Sequence, residues 1–176
     1  MITRECMEKT GYLDEIYAKA PVEIKNIRGG KNEFTDRFKN EVVYYAQGGK
    51  NAYGNNVEVG IAAGGIIATA PDLMRLMSTV DYGTKVPDIL KPETLDKMYK
   101  ASAVYNRYAL GWRVNYPYIP SWASYHGGTL AGVCPIWARG DNNVNGVILC
   151  NSRSYDIDID DDLWYMLEDM QQMIQD

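Results

Sequence analysis

The chain has 176 residues, of which 46% are hydrophobic and 23% charged. That composition suits one folded domain with a sizeable core and argues against disorder. A formal net charge of -5 lacks the basic field that non-specific nucleic-acid binding requires.

Tyrosine is abundant, with 14 copies against 2 phenylalanines, a bias that favours surfaces apolar in body and polar at the tip. Cys6, Cys134 and Cys150 are widely spaced and form neither a metal spacing nor a disulfide framework. Cys134 and Cys150 are expected on neighbouring strands as thiols. With a single histidine and no Cys-x-x-Cys, no zinc site and no cofactor is expected. The opening residues Met1 to Cys6 show no basic stretch followed by an apolar one, so no secretory signal is read there. The weakly polar run from Val59 to Ala70 is too short to span a bilayer, and the chain is read as soluble.

Residues 2–20 place Ile2, Cys6, Leu13, Ile16 and Tyr17 at helical intervals, interrupted by Gly11 and ended at Ala20-Pro21. Residues 21–60 are irregular, punctuated by Gly29-Gly30, Gly48-Gly49 and Tyr53-Gly54-Asn55-Asn56. One short strand is expected there, from Glu41 to Ala46. Thr69 and Asp72 then frame a capping box with Pro71 in the first turn, opening a helix that buries Leu73, Leu76 and Met77. A second helix starts at Pro92-Glu93 and turns Leu95, Met98 and Tyr99 inward.

From Tyr108 the period becomes two. Strands are expected at Tyr108–Val114, Ser121–Thr129, Val133–Arg139 and Val144–Asn151, the last two joined by the turn Gly140-Asp141-Asn142-Asn143. Pro135 inside a strand implies a bulge or an unpaired position. The end is a helix whose apolar stripe is Ile159, Leu163, Met166, Leu167, Met170, Met173 and Ile174. Asp156, Asp158 and Asp160 have the spacing of a calcium loop, but Asp161 and Leu167 replace its glycine and closing glutamate. The acidic run is read as charge at the helix N-terminus.

The only histidine sits in Ser121-Trp122-Ala123-Ser124-Tyr125-His126-Gly127-Gly128-Thr129-Leu130-Ala131-Gly132. Two glycines beside it remove Cβ atoms and let a ligand approach the backbone. Thr-Ala-Pro-Asp-Leu after a Gly-Gly segment, then Tyr-Ala-Leu-Gly-Trp, His-Gly-Gly-Thr-Leu-Ala-Gly and Gly-Val-Ile-Leu-Cys-Asn occur in that order. That series resembles the C-terminal half of the serine β-lactamase-like family. The family holds class C β-lactamases, D-alanyl-D-alanine carboxypeptidases and related esterases. The similarity runs from about residue 20 to 155.

The resemblance implies that His126, Gly127 and Gly128 occupy the strand that in the family carries Lys-Thr-Gly or His-x-Gly. Thr129, which follows them, would supply half of an oxyanion hole through its backbone N–H, and His126 would donate to a substrate carboxylate or carbonyl. Lys9-Thr10-Gly11 spells the family motif too, but in a helical setting where a glycine helix cap explains it. Tyr53-Gly54-Asn55 spells Tyr-x-Asn, which in the family lies upstream of every motif matched here.

One departure is large: none of Ser78, Ser102, Ser121, Ser124, Ser152 and Ser154 has a lysine three positions on. The family's Ser-x-x-Lys nucleophile is thus not found in this chain. Thr94 has Lys97 at that spacing, but within the helix that starts at Pro92.

The expected fold is α+β. An antiparallel sheet of three to four strands is backed by the C-terminal helix (residues 108–176), with a helical, loop-rich part before it (1–107), as a single domain and a partial β-lactamase-like fold. The expected function is the C-terminal part of a serine hydrolase for β-lactam, D-Ala-D-Ala peptide or ester, inactive alone without nucleophile and base. The other readings are a non-catalytic module binding a peptide or cell-wall fragment, and a structural piece that associates with itself or with a missing N-terminal part. The resemblance suggests a bacterial, often periplasmic or extracellular protein, with no nucleic-acid partner and no membrane span.

Overall fold

The computed structural model describes residues 28–30, 32, 37–116, 122–141, 144–155 and 159–175. The helix expected over residues 2–20, and Lys9-Thr10-Gly11 and Cys6, lie outside them. The elements in order are β1 (Arg28–Gly29), β2 (Tyr45–Ala46), α1 (Ile61–Gly64), β3 (Ile66–Ile67), α2 (Ala70–Met77), α3 (Pro92–Tyr99), β4 (Arg113–Val114), β5 (Trp122–Gly127), β6 (Cys134–Gly140), β7 (Asn145–Cys150), β8 (Ser152–Arg153) and α4 (Ile159–Gln175).

Strands β4-β5-β6-β7 form one antiparallel sheet in that order, so consecutive strands are neighbours. Strict alternation along β6 decides which side chains meet which layer. Cys134, Ile136 and Ala138 are buried with Tyr125 against Leu163 and Leu167 of α4. On the opposite face Trp137 packs with Trp112, Val114 and Met77, its ring stacked on Trp112 at 4.9 Å. The mixed architecture, four-stranded antiparallel sheet and terminal helix therefore match the expectation. Cys134 and Cys150 stand directly opposite on β6 and β7 as free thiols.

Helix α2 starts as its capping box dictates. Thr69 is extended and accepts from the Asp72 N–H, while its own hydroxyl donates to Asp72 Oδ2 at 2.7 Å. Asp72 is fully buried, and its second oxygen accepts from Arg75 at 3.0 Å. The capping box expected from the sequence includes Asp72 but not its burial. Burial was not visible because a carboxylate buries only when its oxygens are bonded, and those partners lie in the fold.

Three expected elements need correction. Of Tyr108–Val114 only Arg113–Val114 is a strand. Gly111 has φ 81°, and Ala109 N–H bonds Trp112 C=O at 2.7 Å, so the chain turns and Tyr108 comes back beside Arg113. Burial breaks the period there: Ala109 and Trp112, three residues apart, are both buried, and only Trp112 and Val114 keep the alternation. Of Glu41–Ala46 only Tyr45–Ala46 pairs, in parallel with the two residues of β8. Glu41 is held in a turn, its N–H bonded to Phe38 C=O at 3.0 Å. The stripe on α4 splits as well: Leu163 and Leu167 face the sheet, while Met166, Met170, Met173 and Ile174 are exposed.

Among the described residues, no helix is long and apolar enough to cross a membrane, and no cluster of metal-ligating side chains forms. The first three acidic residues of the calcium-like spacing include Asp156 and Asp158, which lie outside the described residues.

The split of the α4 stripe is testable. Leu167, 1% exposed, should lose about 2–5 kcal/mol on Leu167→Ala. Met170, 45% exposed, should change stability by no more than about 0.5 kcal/mol on Met170→Ala. Urea unfolding of both variants measures the contrast.

Candidate active site

The glycine-rich stretch closes strand β5 and leads into β6 through a tight hairpin. Gly127 opposes Ile136, and Leu130 and Val133 exchange both backbone hydrogen bonds, at 3.1 and 3.3 Å. Ala131 and Gly132 make the turn between them. The register is continuous from Ser124 to Val133, so Gly128 must oppose Pro135. Gly128 N–H donates to Pro135 C=O at 3.0 Å. The reciprocal bond is impossible, because proline has no N–H. The ladder therefore opens on one side, and the Gly128 carbonyl has no partner across the hairpin.

This settles what Pro135 does within a strand. The bulge of this sheet lies elsewhere, where the register shifts between Trp122 and Ser124. One extra residue there sets which side chains of β5 face which layer. Past it His126 pairs with Trp137 and Tyr125 with Ala138, placing the imidazole on the α2 face and the phenol on the α4 face. Tyr125 meets Trp164 edge-on at 4.3 Å. Burial raises its hydroxyl pKa, and a hydrogen bond and charge from Arg113 oppose that shift.

Glycine is needed at 128 for space. A Cβ there would lie 3.2 Å from Pro135 Cγ, whereas at Gly127 the nearest atom would be 3.7 Å away, an ordinary contact. The sequence-predicted residues His126, Gly127, Gly128 and Thr129 are thus contiguous at one strand end, and cavities open on both sides of it. On the α2 face a cavity of about 310 Å³ is lined by His126, Gly127, Gly128, Ile61, Leu73 and Trp137, among others. Among the described residues that line it, none carries a formal charge when the histidine is neutral. On the α4 face a cavity of about 440 Å³ is lined by Gly127, Gly128, Thr129, Arg113, Asp161 and Trp164, among others.

The wall facing His126 comes from α1 and β3. Strand β1 pairs with β3, and Gly30 N–H bonds Gly65 C=O at 2.6 Å. Gly65 sits hard against Val57 and Ile61; a Cβ there would lie 2.7 Å from Ile61 Cα. This explains the small residues that precede α2. A larger apolar cavity of about 680 Å³ shares Ile66, Leu73, Pro135, Trp137 and Leu149 with the first.

His126 is half-buried and both ring nitrogens are engaged. Nδ1 lies 2.7 Å from Gly127 C=O, and Nε2 lies 2.7 Å from the Tyr108 hydroxyl. The sequence reading placed Tyr108 only in a strand. Its contact with His126 depends on the Ala109–Trp112 turn, whose single signal was Gly111. Tyr53 and Asn55 line a separate cavity of about 60 Å³ beside Leu130 and Val133, away from His126. Tyr53 Oη there accepts from Tyr44 N–H at 3.1 Å.

Two substitutions probe this construction of the site. Pro135→Ala should keep the fold, changing stability by no more than about 1 kcal/mol, and give position 135 a slowly exchanging amide bonded to Gly128 C=O. Amide exchange read by NMR checks it. Gly65→Ala should cost roughly 1–3 kcal/mol by overpacking against backbone, measured by thermal unfolding.

The Beta-lactamase family model matches residues 16–169. No curated protein and no solved structure gives a significant match. The matched span takes in the capped helix α2, the four-stranded sheet, the His-Gly-Gly strand end and most of α4. The chain belongs to the serine β-lactamase-like family.

Proposed function

We propose that this chain, acting as a single structural unit, supplies the substrate-facing strand of a serine hydrolase of the β-lactamase-like family. One observation carries the reading. His126, Gly127, Gly128 and Thr129 end a strand where the ladder opens at Pro135, with a cavity on each side. Gly128 and Leu130 point their N–H groups at β6. By alternation the Thr129 N–H points the other way, toward the side that β4 covers only as far as Arg113 opposite Tyr125.

An N–H so placed suits a developing alkoxide, because it is fixed before the reaction and needs no reorganisation. The glycines let an acyl group lie against the backbone. In this reading the strand is the wall of the C-terminal part of the fold, and the substrate is a β-lactam, a D-Ala-D-Ala peptide or an ester. The Ser-x-x-Lys pair that would attack it is not in this sequence. Binding and oxyanion stabilisation without a nucleophile give no acyl-enzyme. The chain by itself should therefore turn over neither nitrocefin nor p-nitrophenyl acetate faster than a heat-killed control. Rapid hydrolysis sensitive to a serine reagent would overturn this.

A second reading has its own observation. Tyr165, Met166, Met170, Met173 and Ile174 are all exposed on α4. Apolar surface concentrated on one helix marks an association face. On this reading the chain pairs with a second polypeptide. Sedimentation should show concentration-dependent association that Met166→Lys with Met170→Lys abolishes, and a clean monomer at high concentration would rule it out.

A further inference from the structure

Resting on that reading of the strand as a substrate wall, we propose that Tyr108 is a positioning residue that sets the wall's chemistry. Its hydroxyl caps Nε2 of a neutral His126 ring whose proton the Gly127 carbonyl holds on Nδ1, and the wall then takes an uncharged carbonyl compound in preference to a carboxylate.

The assignment follows from what each partner can do. A backbone carbonyl only accepts, so the contact of 2.7 Å between His126 Nδ1 and Gly127 C=O requires Nδ1 to carry the proton. In a neutral ring Nε2 is then a lone pair, and the Tyr108 hydroxyl, 2.7 Å away, donates to it. The two rings meet edge-on at 82°, a geometry that lets a phenol hydroxyl approach the imidazole edge. Tyr108 reaches this place because the turn closed by Gly111 folds it back beside Arg113, and Arg113 pairs with Tyr125, the neighbour of His126.

The consequence is a histidine that gives the wall no free donor. Both ring nitrogens are occupied, so His126 offers no N–H to a ligand while the phenol stays in place. Among the described residues, the cavity of about 310 Å³ beside it is lined by no lysine or arginine. Arg113 lines the cavity on the other face, its guanidinium 5.9 Å from the Tyr125 ring. A carboxylate entering beside His126 would lose water and find no counter-charge, which is costly. An ester or amide carbonyl asks only for backbone N–H groups, which the strand end has.

Because His126 is the only histidine in the chain, long-range ¹H–¹⁵N correlation reads its tautomer without assignment ambiguity. In mildly alkaline buffer, the wild-type chain should show one protonated and one bare ring nitrogen, with the proton on Nδ1. Tyr108→Phe removes only the hydroxyl and should move the Nε2 resonance toward that of an unbonded imidazole nitrogen, with the proton still on Nδ1. A wild-type ring protonated on Nε2, or a Tyr108→Phe spectrum identical to wild type, would overturn the positioning role. The wild-type spectrum decides even if the variant fails to fold.

Equilibrium binding of an N-acetylated D-alanyl-D-alanine peptide and of its methyl ester tests the preference. Wild type should favour the ester, and Tyr108→Phe, which leaves Nε2 free to take a second proton opposite a carboxylate, should shift the ratio toward the acid by roughly tenfold. Tighter wild-type binding of the acid would overturn the preference. Binding of neither would overturn the wall reading itself, and the tautomer would still judge Tyr108 separately.

Discussion

The register between β5 and β6 is the constraint on which the other features depend. It brings Pro135 opposite Gly128, and a residue with no N–H then faces a residue with no side chain. The first property opens the hydrogen-bond ladder, and the second leaves room for the pyrrolidine ring. Slipping the register by one residue would exchange the faces of every side chain on β5. His126 would leave the α2 side and Tyr125 would lose its place against Trp164. The bulge between Trp122 and Ser124 is where that register is set, several residues before the stretch it serves.

What fixes the register energetically is burial on both faces of β6. Ile136 and Ala138 are sealed under α4, and Trp137 stacks on Trp112 under α2 and α3. Fully burying a side chain the size of Ile136 stabilises by about 1.5–3 kcal/mol, so a slip that exposed it would not be tolerated. Further along β6, Arg139 lies over the Tyr99 ring at 4.5 Å. The Tyr99 hydroxyl, whose pKa burial pushes up, donates to Val80 C=O at 2.7 Å. Asp81 accepts from Asn145 Nδ2 at 2.6 Å, which ties the segment after α2 to strand β7. The strand end is thus presented by a layer held from both sides, as a positioned site requires.

Much of this was legible in the residues. The capped start of α2 at Thr69, the hairpin from Cys134 to Cys150 and the position of the His-Gly-Gly strand all follow from local chemistry, and local chemistry is written in sequence. Tyr108 and Asp72 were not legible in their roles. Tyr108 acts through a turn whose residue types imitate a strand, and only the exposed pair Leu110-Gly111 between buried Ala109 and Trp112 breaks the alternation. Asp72 is buried by partners three residues away on either side, and only the helix brings these together. The α4 stripe misled for another reason: its apolar residues cover more of the helix than one sheet face can hide. Glu41–Ala46 had strand-forming residues but only the two-residue β8 to pair with.

The central claim is that alternation along β5 leaves the Thr129 N–H turned away from β6, at the strand edge. Residue-resolved amide exchange of the wild-type chain tests it most directly. Gly128 and Leu130, both bonded into β6, should be protected, and Thr129 should exchange orders of magnitude faster. Equal protection of Thr129 and Gly128 would contradict the account.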